Sequence, residues 1–145
     1  METNIAPGLR FSILDREFKK KLEERANQMG LTAVQLRVLG EISRSESMGT
    51  EEINQKDLEK ALAVTHPTMT EIIKRLEKKN AVICTQSIND KRYKKINCTA
   101  EYKNIHLELK EMDWEIFNKI CEGIPEEHVQ IFLKASEKML ENIGK

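Results

Sequence analysis

Apolar positions recur at helical spacing along most of this chain. After Pro7-Gly8, Leu9, Ile13, Leu14, Phe18, Leu22 and Met29 keep to one side of a helix, with Arg16, Lys19, Lys20, Glu23 and Glu24 on the others. Gly30 closes that helix. Thr32 with Gln35 is the pattern of a capping box, in which two side chains satisfy each other's backbone N–H groups. It opens a second helix through Val34, Leu36, Val38, Leu39 and Ile42. The polar run SRSESMGTEE then predicts a loop. Asn54 is placed to cap a short third helix on Leu58, Ala61 and Leu62, and Asp57 near its start suits the helix dipole.

A fourth helix follows Thr65, a candidate N-cap, with Pro67 in the first turn where a missing N–H costs nothing. Met69, Ile72, Ile73 and Leu76 form its apolar stripe, which leaves His66, Thr68, Thr70, Glu71, Lys74, Arg75 and Lys78 outside. The helix ends at Lys79-Asn80, where asparagine tolerates a left-handed backbone. Runs rich in β-branched residues around Val82 to Ser87 and Tyr93 to Cys98 predict a hairpin turned at Asn89-Asp90. Thr99 then reads as the cap of a long helix carrying Tyr102, Ile105, Leu109, Met112, Ile116, Phe117 and Ile120. Gly123 to Pro125 breaks it, and a last helix bears Val129, Phe132, Leu133, Met139, Leu140 and Ile143. This order predicts a mainly α fold with a small β-hairpin wing, a winged helix-turn-helix flanked by terminal helices.

Charge sharpens that outline. The 24 basic and 24 acidic side chains cancel overall, yet eight of the basic ones lie between Thr65 and Lys95 against three acids. A local excess of this kind points to a polyanion at one face, duplex DNA above all. The terminal helices are amphipathic but lie outside the central unit, so they need a second surface. A second copy of the chain supplies one, and two-fold symmetry sets two reading helices into successive major grooves roughly 34 Å apart. A homodimer is therefore expected.

With 145 residues and 39% hydrophobic content the chain suffices for one compact domain, and 33% charge stays short of the disordered regime. No apolar run approaches a membrane span, and METNIAPGLRF lacks the order of a signal peptide, so a cytoplasmic protein with no membrane partner is expected. Cys84, Cys98 and Cys121 have no CxxC spacing and read as small buried hydrophobes in a reducing compartment. Cys84 and Cys98 fall on facing strands, which leaves oxidant sensing open. Enzyme motifs are missing: there is no nucleophile elbow, phosphate-binding glycine loop or HExxH, and His66, His106 and His128 sit on separate helices. No enzymatic activity, metal or cofactor is expected.

Three segments in this order resemble the MarR-type regulators of bacterial transcription: MGLTAVQLRVLGEI at Met29 to Ile42, NQKDLEKALAVTHPTMTEIIKRLEKKNAVI at Asn54 to Ile83, and NDKRYKKINCT at Asn89 to Thr99. The resemblance implies a single domain over 1–145, with a DNA-binding lobe at 31–100 and dimerisation helices at 8–29 and 100–143. It further implies a triangular homodimer on a pseudo-palindromic operator, usually a repressor released by a small molecule or an oxidant. Its recognition-helix contacts fall on His66, Pro67, Thr68, Thr70, Glu71 and Arg75, and its wing pair on Asp90 and Arg92; Lys74, Lys78, Lys91 and Lys94 join them as basic neighbours. Arg92 at the wing tip suits a narrow A·T-rich minor groove, and Asp90 either orients that guanidinium or simply forms the turn. Glu71 either accepts from cytosine N4 or restrains Arg75 one turn on.

A crevice where reading lobe and dimer base meet would hold a small aromatic effector, with Phe11, Phe18, Leu36, Leu39 and Trp114 as its candidate lining; each also reads as ordinary core. The chain departs from the family in carrying Asn80 for a usual Gly, Cys98 for Leu and Tyr102 for Gly. The family's peroxide-sensing cysteine, in the first helix, has no counterpart. The competing reading is a winged-helix module that binds another protein instead of specific DNA. The basic residues on the fourth helix and wing argue against it.

Overall fold

In the computed structural model, which describes residues 4–49 and 52–144, six α-helices and a two-stranded hairpin follow the chain order. Helix α1 (Pro7–Gln28) starts on Pro7, and Gly30 at φ 73° turns the chain out of it. Helix α2 (Ala33–Ser47) opens on the capping box of Thr32 and Gln35, and the Glu23 carboxylate of α1 accepts from the Ala33 N–H at 2.8 Å. The negative end of that side chain meets the positive end of the α2 dipole, which fixes the corner between the helices. Helix α3 (Gln55–Leu62) carries a second reciprocal box, between Asn54 and Asp57.

Helix α4 (His66–Lys78) follows Ala63, whose φ of 52° puts a non-glycine residue in the left-handed region at the turn between α3 and α4. Asn80, at φ 57°, takes the same conformation after α4. Strands β1 (Val82–Gln86) and β2 (Lys94–Cys98) pair antiparallel with Cys84 opposite Ile96, and the Ile96 N–H is taken by the Ile53 carbonyl at 2.9 Å. Helix α5 (Ile105–Ile120) packs on α1 and α2, and α6 (Glu126–Asn142) ends the chain.

The core gathers Leu22 and Ala26 of α1, Leu36, Val38, Leu39 and Ile42 of α2, Leu58 of α3, Met69 and Leu76 of α4, Ile96 of the wing and Ile105, Met112 and Ile116 of α5. Gly40 lets α5 come this close: a Cβ there would stand 2.6 Å from Leu109 Cδ2. No helix among the described residues is long and apolar enough to cross a membrane.

Three local expectations are corrected. The SRSES part of the predicted loop is the last turn of α2, because tertiary bonds hold it: Ser43 Oγ donates to the Lys103 carbonyl at 2.7 Å, and Glu46 accepts from the Cys98 N–H at 2.7 Å. Thr50 and Glu51, within that same stretch, lie outside the described residues. Thr99 does not cap the long helix; it donates to the Asn80 and Ala81 carbonyls, and a 3₁₀ turn at Ala100–Tyr102 precedes α5. Thr65 likewise makes no capping bond, its hydroxyl being given to Thr68 Oγ1 at 2.9 Å.

Candidate nucleic-acid interface

Helix α4 is two-faced, as its sequence requires. Met69, Ile72, Ile73 and Leu76 close the core, whereas His66, Pro67, Thr68, Thr70, Glu71, Lys74, Arg75 and Lys78 are exposed. The exposed side forms a ridge between two clefts. Towards the wing, a cleft of about 870 Å³ is bordered by His66, Thr70, Lys74, Arg92 and Lys94. Towards the start of α2, one of about 450 Å³ is bordered by Thr32, Val34, Pro67, Thr68, Glu71 and Arg75. A ridge with basic margins is the shape that enters a DNA groove.

The first turn of α4 is held by α3. His66 Nδ1 lies 2.9 Å from Glu59 Oε2. An ionised carboxylate only accepts, so Nδ1 carries the proton and donates. The Gln55 amide nitrogen donates to Thr70 Oγ1 at 2.8 Å and, more distantly, to the His66 carbonyl at 3.5 Å. Sequence reasoning missed Gln55 and Glu59. Their one available signal was spacing: they stand one turn apart on α3 and meet His66 and Thr70, one turn apart on α4. Glu71 accepts from Arg75 Nε at 3.1 Å, the restraining role of its two alternatives.

On the wing, Asp90 and Arg92 form a two-pronged pair, with Nε 3.1 Å from Oδ1 and Nη2 2.8 Å from Oδ2, while the Arg92 N–H also donates to Oδ1 at 3.0 Å. The Arg92 side chain, then its backbone N–H, hold the Asp90 carboxyl down to about 2. The guanidinium carbon lies 5.8 Å from the Tyr93 ring centroid. The turn itself is a polar cradle. Ser87 Oγ accepts from the Asn89 and Asp90 N–H groups at 3.2 Å and donates to Glu52, whose other oxygen accepts from the Ile88 N–H at 3.3 Å. Asp90 thus both shapes the turn and aims Arg92. Lys91 and Lys94 are exposed beside it. Lys79 is occupied elsewhere, donating to the Gly30 carbonyl at 2.6 Å and to Gln35 Oε1 at 3.1 Å.

The five candidate effector residues do not converge. Leu36 and Leu39 have no exposed surface and belong to the closed core, because the inner face of α2 carries them with Val38 and Ile42. Phe11 and Trp114 are exposed on α1 and α5. Phe18 borders an apolar groove of about 520 Å³ with Leu14, Phe117, Ile120, Val129 and Phe132. Phe132 stacks on Phe117 at 6.1 Å, and Trp114 meets Phe117 edge-on at 5.6 Å.

The three cysteines are free. Cys98 is buried with its Sγ 3.6 Å from the Leu39 carbonyl, and burial pushes its thiol up to about 12 and that of Cys84 up to about 11. Neither holds an appreciable thiolate at neutral pH, the form oxidant sensing requires. Among the described residues no group of three His, Cys, Asp or Glu side chains is placed to hold a metal ion.

Comparison with known proteins agrees with this architecture. The family model described as MarR family matches residues 29–92. The HTH-type transcriptional regulator SarZ of Staphylococcus epidermidis is 31% identical over 120 residues, which cover 83% of this chain and 76% of that protein. SarZ of Staphylococcus aureus is 29% identical over 109 residues, 75% of this chain and 70% of its own. Among solved structures, the reduced form of MarR from E. coli superposes with a TM-score of 0.84 at 22% identity, over 96% of this chain and 99% of that one. The S. aureus MepR–DNA complex superposes at 0.78 and 23% identity, over the same 96% and 99%. These relatives are regulators rather than enzymes. With a helix-turn-helix, a hairpin wing and this degree of likeness to SarZ, the chain belongs to the MarR family of winged-helix transcriptional regulators.

Proposed function

We propose that the protein is a homodimeric, sequence-specific repressor that sets α4 into the major groove of a pseudo-palindromic operator and Arg92 into the adjoining minor groove. The observation that carries this reading is the ridge of α4: one face closes the core, and the other stands exposed between two clefts with basic residues at its margins. His66, Pro67, Thr68, Thr70 and Arg75 meet base edges or adjacent phosphates, Glu71 restrains Arg75 at that surface, and Lys74, Lys78, Lys91 and Lys94 neutralise the backbone. Asp90 acts through Arg92, which it pre-aims. MepR, whose structure in complex with DNA shares this fold, supports the same assignment by likeness.

Self-association is part of the proposal. The groove around Phe18, Phe117 and Phe132 and the exposed Leu9, Phe11, Ile131 and Leu140 on α1 and α6, with Ile143 just after them, form an apolar surface of the kind a second copy covers. The two reading lobes then stand on one base in the cytoplasm, and a small aromatic effector that prefers the wrongly spaced pair of lobes lowers operator affinity by its differential binding. Support for that last step is the family resemblance, with Trp114, exposed on α5 outside the groove assigned to the second copy, as the residue that would report such a ligand.

Footprinting on the DNA upstream of the protein's own gene, with and without phenolic acids, tests the whole. Protection of two half-sites one helical turn apart, relieved by an acid that also changes Trp114 fluorescence, is the expected result. Binding with no preference among sequences refutes the repressor. Unchanged fluorescence and affinity across the acids refute effector control alone.

A further inference from the structure

The hydroxyl proton of Thr70 is used up inside the protein. It donates to the His66 carbonyl at 2.9 Å, and the Gln55 amide nitrogen stands 2.8 Å from the same oxygen. Glu59 keeps a proton on His66 Nδ1, so the Gln55 amide, 3.2 Å from that nitrogen, has no acceptor there and turns its hydrogens to Thr70 and the His66 carbonyl. With the amide turned over, its oxygen would take the Thr70 proton instead, so both orientations commit the hydroxyl inward. Yet Thr70 is exposed on the flank of α4 that borders the cleft to the wing. Most base-edge atoms in the major groove are acceptors: N7 and O6 of guanine, N7 of adenine, O4 of thymine. Thr70 has no proton left for them. What it still offers is one acceptor lone pair and the Cγ2 methyl, and the apolar feature in that groove is the C5-methyl of thymine.

We propose that Thr70 is a specificity-determining residue that reads a thymine through its methyl group, with Gln55 as the positioning residue that turns the hydroxyl away from the DNA. This rests on α4 entering the major groove. It also brings α3 into sequence recognition without contact to a base.

Duplexes selected by the full chain from a random-sequence pool supply the probe. Each thymine of the selected half-site is then replaced in turn by deoxyuridine, which removes the C5-methyl alone. The wild-type protein is expected to lose about 3- to 10-fold in affinity at one thymine per half-site, the scale of one buried methyl contact. Thr70→Val, which keeps a methyl and lacks the hydroxyl, retains that sensitivity, and Thr70→Ser, which keeps the hydroxyl and lacks the methyl, loses it at that position only. Gln55→Glu, whose carboxylate takes the Thr70 proton in place of the His66 carbonyl and so still holds the hydroxyl inward, preserves the thymine-to-deoxyuridine ratio, whereas Gln55→Leu, which removes the polar partner on α3, lowers it without changing affinity for unselected DNA. Tight binding with a flat deoxyuridine scan, or a Thr70→Ser protein as sensitive as wild type, overturns the proposal. If no duplex is enriched from the pool, the DNA-reading assignment of α4 fails with it.

Discussion

The reading lobe and the terminal helices use the same apolar residue types to opposite ends. In the lobe, Leu36, Val38, Leu39, Leu58, Met69 and Leu76 have no exposed surface, so one chain completes this core unaided. On α6, Val129 is the buried residue, while Ile131, Phe132, Met139 and Leu140 remain exposed, as do Ile143 just after it and Leu9, Phe11 and Leu14 on α1. The lobe's core closes within one chain, with Leu22 and Ala26 of α1 and Ile105, Met112 and Ile116 of α5 completing it. The groove around Phe18, Phe117 and Phe132 leaves apolar surface uncovered at the base, the surface that the proposed second copy would bury. On the proposed reading, DNA contact and self-association fall on different surfaces of the chain, and substitutions should divide the same way.

The largest effect is expected inside the lobe. Leu39→Ala empties a fully buried site and should cost about 2–5 kcal/mol of unfolding free energy in urea titrations. A loss under about 1 kcal/mol would mean the site collapses and the lobe core is not the anchor of the fold. In the base, Phe132→Asp should leave the lobe folded and weaken self-association by about 2–4 kcal/mol, since it removes a large apolar contact and introduces a charge without a partner. Sedimentation velocity over a dilution series reads this directly, and an unaltered monomer–dimer equilibrium would remove α6 from the interface.

Smaller effects test the reading surface and its strain. Arg92→Ala should cost about 1–3 kcal/mol in operator binding, most on A·T-rich flanks, with dimerisation untouched. Equal losses on all flanks would make it a phosphate contact. Ala63→Gly should raise stability by about 0.5–1 kcal/mol, because relief of the left-handed backbone at φ 52° outweighs the extra freedom of the unfolded chain. Thermal unfolding checks the sign, and a destabilised variant would show that the Ala63 methyl contributes more than its backbone costs.

The sequence made the fold legible wherever structure is local. The Thr32–Gln35 capping box, the Asn54 cap, the stripe of α4, the hairpin and the left-handed Asn80 follow from spacing and backbone preference alone, whereas Asp57, which accepts the reciprocal bond, reads from the sequence only as a dipole contact. What escaped depends on partners distant in sequence. The last turn of α2 reads as loop because Ser43, Ser45 and Ser47 are polar, yet Ser43 is buried against α5 and Glu46 caps the start of the wing's exit. Thr99 has the residue type of an N-cap but finds the Asn80 and Ala81 carbonyls first. Half of the first-turn network of α4 lies on α3, so Gln55 and Glu59 carry no mark of their role until the two helices are docked. Leu36 and Leu39 look the same from the sequence whether they line a crevice or fill a core; only the fold separates the two.

The internal partners of the basic residues bear on the ionic atmosphere of the DNA. Arg75 rests on Glu71, Arg92 on Asp90, and Lys79 on the Gly30 carbonyl before any duplex arrives. A cation that stays neutralised by a carboxylate, as the two arginines are, displaces little condensed counterion, whereas Lys79 keeps its full charge on neutral partners; each displacement contributes about −0.9 to the slope of log affinity against log salt. The electrolyte sensitivity of the lobe therefore follows the exposed Lys74, Lys78, Lys91 and Lys94 more than its full basic count. In the proposed complex the lysines would set how strongly the surface clings to any nucleic acid, and the tethered arginines, held in place at small entropic cost, would bias which one it keeps.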